Sequence, residues 1–398
     1  MHVGKLLHNW LDNACLSVDK RLRRTLFAAA ETLTRCKALS IFGLGRHLNR
    51  SAKVKHNIKC IDRLFGNKHL HSKRELFYQW MITFLVKKNK HPIIIIDWSG
   101  LTRCGKYHFL RASIAAQGRA LTLYENAYLF SEYGSQKTHR AFLSTLQKML
   151  PTDCKPIIVT DAGFRNPWFR LVLSFKWDFI GRARNKTQYQ FSVENSWKSL
   201  KSLHERATYK PTYVGAIHLA KENPLLCHAY LMKQQKQYRV KKNLVGRKIQ
   251  CSMSLKHAKR ENEPWLIVSS LSLEEKTSLE IVQCYKKRMQ IEEAFRDLKN
   301  TRHGFSLRQC RSYTVARLNV ALLIAALAAF VLWILGTAAK QKQLHYSFQA
   351  NTEKRRNVLS NFTIGWQVLQ RGILFNKKEL FLALRAVVLS THEEAASC

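Results

Sequence analysis

The sequence predicts a mixed α/β protein with a helical N-terminal region, and three observations lead to that prediction. Apolar residues recur at helical spacing through roughly the first 75 residues. From about residue 90 the pattern changes to short β-branched and aromatic runs, separated by turn-like residues and by helical segments. Hydrophobic residues make up 46% of the 398 residues, so the chain can form two or three units with buried cores.

The N-terminal region is predicted to be a cluster of helices over 3–16, 21–36 and 57–65, interrupted near 43–56. Five basic residues lie just before and within its last predicted helix: Lys53, Lys55, His56, Lys59 and Arg63. This arrangement suits docking on phosphate groups. A basic face that is merely solvated is the alternative interpretation.

Strands are predicted after this region, with helices between the later ones. The strand segments are 91–99, 108–116, 120–130, 155–161 and 177–184, and the helical segments are 137–150 and 167–175. Strands that come first in a run and then alternate with helices predict a mixed sheet with helices on its faces.

The rest of the chain begins with a more basic, strand-like stretch that reads as an insertion into the sheet domain. A returning strand at 264–271, a long helix at about 273–300 and two amphipathic helices at 355–371 and 377–390 follow. The predicted division is 1–75, helical; 90–185, first part of the sheet domain; 186–260, β-rich basic insertion; 261–345, second part; and 346–398, C-terminal helical region.

The net charge indicates a polyanionic partner. The chain has 67 Lys and Arg but only 26 Asp and Glu, for a formal charge of +41. Nucleic acid is the first candidate. An anionic membrane is the second, because Val320–Leu335 is a run of 16 residues without a polar side chain. A spanning helix needs about 20 such residues, and shorter runs also occur as buried core helices.

The cysteines and the N-terminus predict a cytoplasmic protein. The ten cysteines form no C-x-x-C pair and no regular framework, as expected of reduced intracellular thiols. Polar residues interrupt the first 16 positions, which excludes a signal peptide there.

Two carboxylates follow apolar strands. Asp97 ends the run IIIID and Asp161 ends IIVTD, so each is expected at the carboxyl end of its strand, where sheets of this kind place their sites. The alternative is ordinary, since an aspartate after a strand commonly caps a helix or opens a turn.

A third carboxylate lies in the predicted helix at 273–300. At about 100° per residue, Tyr285, Arg288, Glu292 and Lys299 share one stripe about 60° wide. Glu293 and Asp297 fall outside that stripe, so Glu292 is the acid centred among its cations. A network of helical ion pairs is the alternative explanation.

Two aspartates and one glutamate brought together would suit a pair of Mg²⁺ ions, which prefer carboxylate oxygens and keep several waters. Two such ions can activate a water or a 3′-hydroxyl and stabilise the leaving oxygen of a phosphodiester. The neighbouring Tyr285, Arg288 and Lys299 would then hold the flanking phosphates and orient the substrate.

The pattern Y-x2-R-x3-E-x6-K formed by these four residues resembles the signature of the insertion-sequence-four family of bacterial DDE transposases. Further segments, in the same order, are similar to the transposon-ten type of member. They are IIDWSG, LRAS, LTLYE, IVTDAGF, PWLIVSSL, KRMQIEEAFRDLK and FQANTEKRRNVLS. The resemblance covers nearly the whole chain, from about residue 35 to 365.

The resemblance implies a ribonuclease H-like (retroviral-integrase-like) catalytic domain with a β-rich insertion, and an all-α N-terminal DNA-binding domain. It implies that Asp97, Asp161 and Glu292 bind the metal, Mg²⁺ with Mn²⁺ as a substitute. It also implies cut-and-paste transposition, in which a freed 3′-hydroxyl forms a DNA hairpin that is reopened and joined to target DNA.

Trp265 matches the position of a tryptophan that stacks on a flipped base in related enzymes. Such stacking is worth roughly 1–3 kcal/mol, and flipping exposes a base that is otherwise buried in the duplex. The alternative is a core residue at the start of a strand. The resemblance also implies that the apolar run is a helix buried against the catalytic sheet.

The implied partners are double-stranded DNA, as terminal inverted repeats and as target, and a second copy of the chain in a homodimer. The implied location is the bacterial cytoplasm, in association with the nucleoid, with no membrane. Three alternatives stay open at this point: a DNA-binding protein that has lost its chemistry, a structure-selective nuclease, and a membrane protein. The C-terminal tail departs most from the family pattern, so no dimer contacts are assigned there.

Overall fold

The computed structural model describes residues 17–87, 89–184, 187–192, 196–235, 251–252, 255, 262–350, 352–353 and 356–396. The chain forms two compact units. Unit 1 is drawn from Met1–Cys154 and Met289–Ala396, and unit 2 is Lys155–Arg288. The helix predicted at 3–16 and the basic stretch at 236–248 lie outside the described residues.

From residue 17, where the description of unit 1 starts, the chain forms four helices: α1, Lys20–Cys36; α2, Ile41–His47; α3, Val54–Phe65; and α4, Lys68–Leu85. The starts of α1, α2 and α4 are encoded locally by polar caps, namely Asp19, Ser40 and Asn67. The carboxylate of Asp19 accepts backbone hydrogen bonds from Arg21 and Leu22 at 2.9 and 3.0 Å. The predicted helices at 21–36 and 57–65 are confirmed. The predicted interruption near 43–56 is wrong in part, because α2 and the start of α3 fall within it, and α4 continues past residue 75 to Leu85.

Three antiparallel strands and a helix follow in unit 1: β1, Ile93–Gly100; β2, Tyr107–Ala115; β3, Ala120–Leu129; and α5, Gln136–Met149. The strands lie in the order β3–β2–β1. The first four residues of β1 are isoleucines and are all buried. The predicted strands at 91–99, 108–116 and 120–130 and the helix at 137–150 are therefore confirmed.

The described residues of unit 2 include seven strands and two α-helices: β4, Ile157–Val159; α6, Asn166–Ser174; β5, Asp178–Ala183; β6, Gln188–Phe191; β7, Lys198–Ser199; β8, Thr212–Leu219; β9, Leu225–Met232; β10, Trp265–Ser269; and α7, Ser278–Lys286. Its strands lie in the order β4–β5–β10–β9–β8–β6–β7. The β4–β5 pair is parallel and the other described pairs are antiparallel, so the sheet is mixed as predicted.

The chain then returns to unit 1 with four more helices: α8, Met289–Lys299; α9, Val315–Gln341; α10, Asn361–Gln370; and α11, Lys377–Ala396. Helix α9 is the centre of the unit and packs against α1, α4, α10, α11 and β3. The long apolar run lies in this helix. Its side chains from Val320 to Ala328 are all buried, so every face of the helix contacts protein.

Among the described residues, α9 is the one helix long and apolar enough to cross a membrane, and 94% of its most apolar window is buried inside the protein. A helix that faces protein on all sides has no surface left for lipid. The structure therefore favours the interpretation of the apolar run as a core helix.

Helices α9 and α10 approach each other closely at two glycines. A Cβ atom added at Gly365 would lie 1.9 Å from the carbonyl oxygen of Leu332, and one added at Gly336 would lie 2.0 Å from that of Asn361. No larger residue fits either position without moving a backbone. The two glycines therefore set the separation of these helices.

Candidate active site

Asp97 lies where β1 leaves the core, but it does not end the strand. The side chains of β1 are buried through Ile96 and half-buried from Asp97 to Gly100. Pairing with β2 continues to Gly100, opposite His108. The expectation that Asp97 is at the carboxyl end of its strand is therefore wrong, because the hydrogen-bond ladder with β2 extends beyond the apolar run.

Asp97 belongs to a row of charged residues across the three strands of unit 1. It lies opposite Arg111 of β2, and Arg111 lies opposite Glu125 of β3. Directly opposed residues of antiparallel strands project from the same face of a sheet. The three side chains therefore share one face.

The Arg111–Glu125 pair is a buried ion pair. The two nitrogens Nη2 and Nε of Arg111 lie 2.6 and 2.8 Å from Oε2 of Glu125, and the side chains are only 5% and 0% exposed. Burial raises the pKa of Glu125, and the Arg111 guanidinium opposes that rise. From α4, Nη1 of Arg74 donates to the backbone oxygen of Glu125 at 3.1 Å.

Helix α8 packs on β1 and β3 and delivers Lys299 to the same part of unit 1. Phe295 contacts Phe109 edge to face, with ring centroids 5.3 Å apart. The Nζ of Lys299 donates to Oγ of Ser99. Burial lowers the pKa of Lys299 to about 8, Arg308 and Arg111 act in the same direction, and the Asp97 carboxylate raises it. Lys299 therefore lies within electrostatic range of Asp97.

Glu292 is exposed on α8, and its acidic neighbours serve a different purpose. Asp297 and Glu293 both pair with Arg119, at 2.9 and 3.6 Å. These pairs fasten α8 to the loop before β3. Glu292 and Lys299 are seven residues apart, which places them on nearly the same side of an α-helix. The sequence prediction that separated Glu292 from its two acidic neighbours therefore agrees with the ion pairs of α8.

The continuous helix predicted at about 273–300 is wrong. The segment forms two helices, α7 and α8, separated by a turn at Lys287 and Arg288. The N–H of Arg288 donates to the carbonyl oxygen of Tyr285 at 3.0 Å, three residues back instead of four. A tightened turn changes the helical phase, so the stripe from Tyr285 to Lys299 holds only within each helix. No proline or glycine marks this break.

The units divide at the same turn, so the predicted site residues fall into two groups. Unit 1 contains Asp97, Glu292, Lys299 and the basic residues predicted for the N-terminal region. Unit 2 contains Asp161, Trp265, Tyr285 and Arg288.

Asp161 follows β4 in unit 2, two residues after the strand ends at Val159. Its Oδ1 accepts a hydrogen bond from the backbone N–H of Gly163 at 2.8 Å. The side chain is half-buried. The predicted position of Asp161 at the carboxyl end of its strand is confirmed.

Tyr285 and Trp265 form an aromatic pair in unit 2, with ring centroids 5.1 Å apart and planes at 79°. Arg182 lies 5.8 Å from the Trp265 ring centre, and Arg288 lies 5.8 Å from that of Tyr285. Burial raises the pKa of Tyr285, Arg288 and Arg182 lower it, and Asp161 raises it. Asp161 therefore belongs to the same neighbourhood as this cluster.

The basic residues of the N-terminal region line the exposed side of α3. The helix buries Ile61, Leu64 and Phe65 against its neighbours. Its exposed residues include all the predicted phosphate contacts, with Lys53 at the N-cap: Lys53, Lys55, His56, Lys59 and Arg63. The structure therefore presents a basic surface here, and its role stays a prediction.

The described residues include no group of three or more His, Cys, Asp or Glu side chains that could hold a metal ion. The three predicted ligands are nevertheless carboxylates, the donor type that Mg²⁺ and Mn²⁺ prefer. Asp97 and Asp161 are both half-buried and Glu292 is exposed. The donor chemistry therefore fits a divalent cation, and the assembly of the three carboxylates stays a prediction.

Sequence reasoning missed Arg111, Glu125 and Arg182 as parts of these neighbourhoods. The signal for the first two was present, because a single charge inside an otherwise apolar strand predicts a buried partner. The register that joins Arg111 to Glu125 depends on the hairpin and on a β-bulge between Ala112 and Ser113, which the sequence pattern did not reveal.

We predict that Glu125→Gln lowers the free energy of unfolding by about 3–5 kcal/mol, because the charge of Arg111 would then be buried without its partner. Urea unfolding followed by tryptophan fluorescence measures the change. The matched control is Glu31→Gln, which removes the more exposed Arg35–Glu31 pair at 3.1 Å and should cost less than about 1 kcal/mol. Equal losses for the two variants would contradict a structural role for the buried pair.

Comparison with known proteins assigns the chain to a family. A family model described as a transposase DDE domain matches residues 88–331, more than half of the chain. A comparison with curated proteins finds no match. The matched family implies a ribonuclease H-like α/β fold, consistent with the mixed α/β architecture of the described residues. The chain therefore belongs to the DDE transposases, metal-dependent enzymes that cleave DNA and transfer its strands.

Proposed function

We propose that this chain is a transposase of the insertion-sequence-four family, of the transposon-ten type, that moves its element by cut-and-paste transposition through a hairpin intermediate. The observation that carries the proposal is the family match over residues 88–331, which includes Asp97, Asp161 and Glu292. The ordered motifs around these residues favour the finer assignment. The proposed substrates are the terminal inverted repeats of the element and the target DNA.

In this proposal Asp97, Asp161 and Glu292 hold two Mg²⁺ ions, for which Mn²⁺ can substitute. Bound divalent ions would activate the attacking water or 3′-hydroxyl and stabilise the leaving oxygen of the phosphodiester. The exposure of Glu292 and the half-buried position of Asp97 and Asp161 support this role, since the ligands must be reachable by substrate phosphates.

Lys299 is proposed to position a DNA phosphate beside Asp97. Ser99 orients its ammonium group through the hydrogen bond to Nζ. Arg111 is directed to Glu125 by the buried ion pair, so one cation of this face is already neutralised by the fold. Of these two cations near Asp97, Arg111 on β2 and Lys299 on α8, Lys299 is therefore the one proposed to contact the substrate.

Tyr285, Arg288 and Trp265 are proposed to bind the DNA around the cleaved bond. The Arg288 guanidinium, placed over the Tyr285 ring, supplies the charge for a phosphate contact. Trp265 is half-buried at the start of β10 and is proposed to stack on a flipped base during hairpin formation, a contact worth roughly 1–3 kcal/mol.

The exposed basic side of α3 is proposed to bind DNA phosphates outside the cleavage site, as part of an N-terminal DNA-binding region. Synapsis of two element ends is proposed to require a homodimer. The protein is proposed to act in the bacterial cytoplasm, in association with the nucleoid.

We predict that Asp97→Asn lowers Mg²⁺-dependent cleavage of a duplex carrying the element ends at least about 100-fold, because a metal ligand is worth several kcal/mol to the transition state. Gel analysis of cleaved strands measures the rate, and a gel shift measures binding of the same duplex. Binding should be retained, since the substitution preserves the shape of the side chain.

The matched control is Asp153→Asn, which changes an exposed aspartate of unit 1 that lies 3.9 Å from Lys90. It should cleave like the wild type. Equal cleavage by Asp97→Asn and the wild type would contradict the catalytic assignment, as would tight binding without any cleavage by the wild type.

We predict that Arg288→Ala reduces the slope of log affinity against log salt for the same duplex by about one, because one phosphate contact is lost. Fluorescence anisotropy over a series of KCl concentrations measures the slope. The control is Arg296→Ala, whose side chain is 66% exposed and pairs with Glu293, and which should leave the slope unchanged. An unchanged slope for Arg288→Ala would remove its proposed phosphate contact.

A further inference from the structure

Unit 2 contains a cavity of about 570 Å³ whose charged lining is mostly basic. Four cationic residues line it, and they are named here the basic cleft: Arg165, Arg182, Arg184 and Lys221. Glu222 is the one acid of the lining. A concave site with this excess of positive charge favours an anionic ligand.

Arg182 is the most buried of the four cations, with only 9% of its surface exposed. Its Nη2 donates to the backbone oxygens of Glu263 and Pro264 at 3.2 and 3.3 Å. Its Nε is buried and has no hydrogen-bond partner among the residues that the structure describes. A buried donor without a partner is uncommon in folded proteins, so an external acceptor in the cleft would account for it.

Cationic neighbours make the surroundings of Arg182 more positive and so favour an anion there. The pKa of Arg182 is lowered to about 10, first by burial and then by Arg184 and Arg288, whereas Tyr285 and Glu263 act to raise it. Glu263 also pairs with Arg184 at 3.4 Å and so offsets part of the charge. Arg165 and Lys221 are exposed at the cleft, and the lining keeps an excess of positive charge.

The start of helix α6 forms one wall of the basic cleft, through residues 164–167. The nine-residue helix has no acidic side chain in its first turn, and its N-cap, Arg165, makes no side-chain capping bond. In this first turn Pro167 has no N–H, and the N–H of Trp168 already donates to the carbonyl oxygen of Arg165 at 2.8 Å. What the helix start contributes to the cleft is therefore mainly its partial positive charge, which favours an anion. This second feature points to the same class of ligand as the buried guanidinium of Arg182.

We propose that the basic cleft binds a backbone phosphate of the DNA on which this transposase acts. This contact is additional to those of Tyr285 and Arg288, and it rests on the proposed function because the phosphate is taken to belong to substrate DNA. Arginine suits the role, since its planar group donates two parallel hydrogen bonds to phosphate oxygens. DNA is favoured over a small anion because the whole chain carries a charge of +41.

The test uses the full chain and a fluorescently labelled duplex carrying the element end. The variant is the double substitution Arg165→Gln with Lys221→Gln, which leaves the buried Arg182 in place. Anisotropy titrations at several KCl concentrations give the slope of log affinity against log salt. The slope should fall by about one, because the exposed cations of the cleft no longer neutralise its one phosphate.

The matched control is Lys210→Gln, an exposed lysine of unit 2 that does not line the cleft, and it should leave the slope unchanged. Glu222→Gln provides a test of opposite sign. Removal of the acid should tighten binding of the duplex by up to about fivefold, the range expected for one exposed charge interaction.

An unchanged slope in the double variant, or an equal fall in Lys210→Gln, would overturn the proposal. Inorganic pyrophosphate alone, titrated by calorimetry, separates the two sources of phosphate. Weaker pyrophosphate binding in the double variant with an unchanged DNA slope would show a site for free anions and would also overturn it. Mg²⁺-dependent cleavage by the wild type is measured in parallel. A lower slope without cleavage would sustain the cleft and reject the proposed function.

Discussion

The register of β1, β2 and β3 places Asp97, Arg111 and Glu125 in one row, and the charge balance of this row constrains the predicted site in unit 1. An acid in a chain with a net charge of +41 attracts cations, and a carboxylate closed off by a tight ion pair is less available to a metal. The strand register places Arg111 between two acids, Asp97 on β1 and Glu125 on β3. Arg111, the cation opposite Asp97, is bound to Glu125 at 2.6 Å in the interior. Glu125 thus serves as a buried counter-charge, and the half-buried cation Lys299 donates a hydrogen bond to Ser99.

Two of the three acidic residues of α8 also form ion pairs with an arginine. Glu293 and Asp297 are committed to Arg119, where they fasten the helix to the β2–β3 connection. Glu292 lies on a different side of the helix and is exposed. In unit 2, Asp161 shares the neighbourhood of Tyr285, whose pKa it raises. Within α8, Glu293 and Asp297 are therefore distinguished from Glu292 by their ion pairs with Arg119 and by their lower exposure.

Much of this organisation could be predicted from the sequence. The isoleucine run before Asp97, the strand before Asp161 and the amphipathic pattern of the N-terminal helices are local signals, and the structure contains the corresponding elements. The break between α7 and α8 was not predictable, because it lies in a segment of good helix formers without proline or glycine. The Arg111–Glu125 pair and the convergence of basic residues on the start of α6 depend on tertiary register, which local periodicity does not encode.

Asp97, Asp161 and Glu292 are proposed to act on the same divalent ions, and metal-directed cleavage of the protein chain can test this sharing. Fe²⁺ would replace Mg²⁺ in the complex with a duplex of the element end, and ascorbate with peroxide would generate hydroxyl radicals at the bound iron. If the three carboxylates share these ions, the backbone is expected to be cut near residues 97, 161 and 292, and excess Mg²⁺ is expected to suppress the cuts. Cuts confined to one or two of these positions would contradict a shared centre.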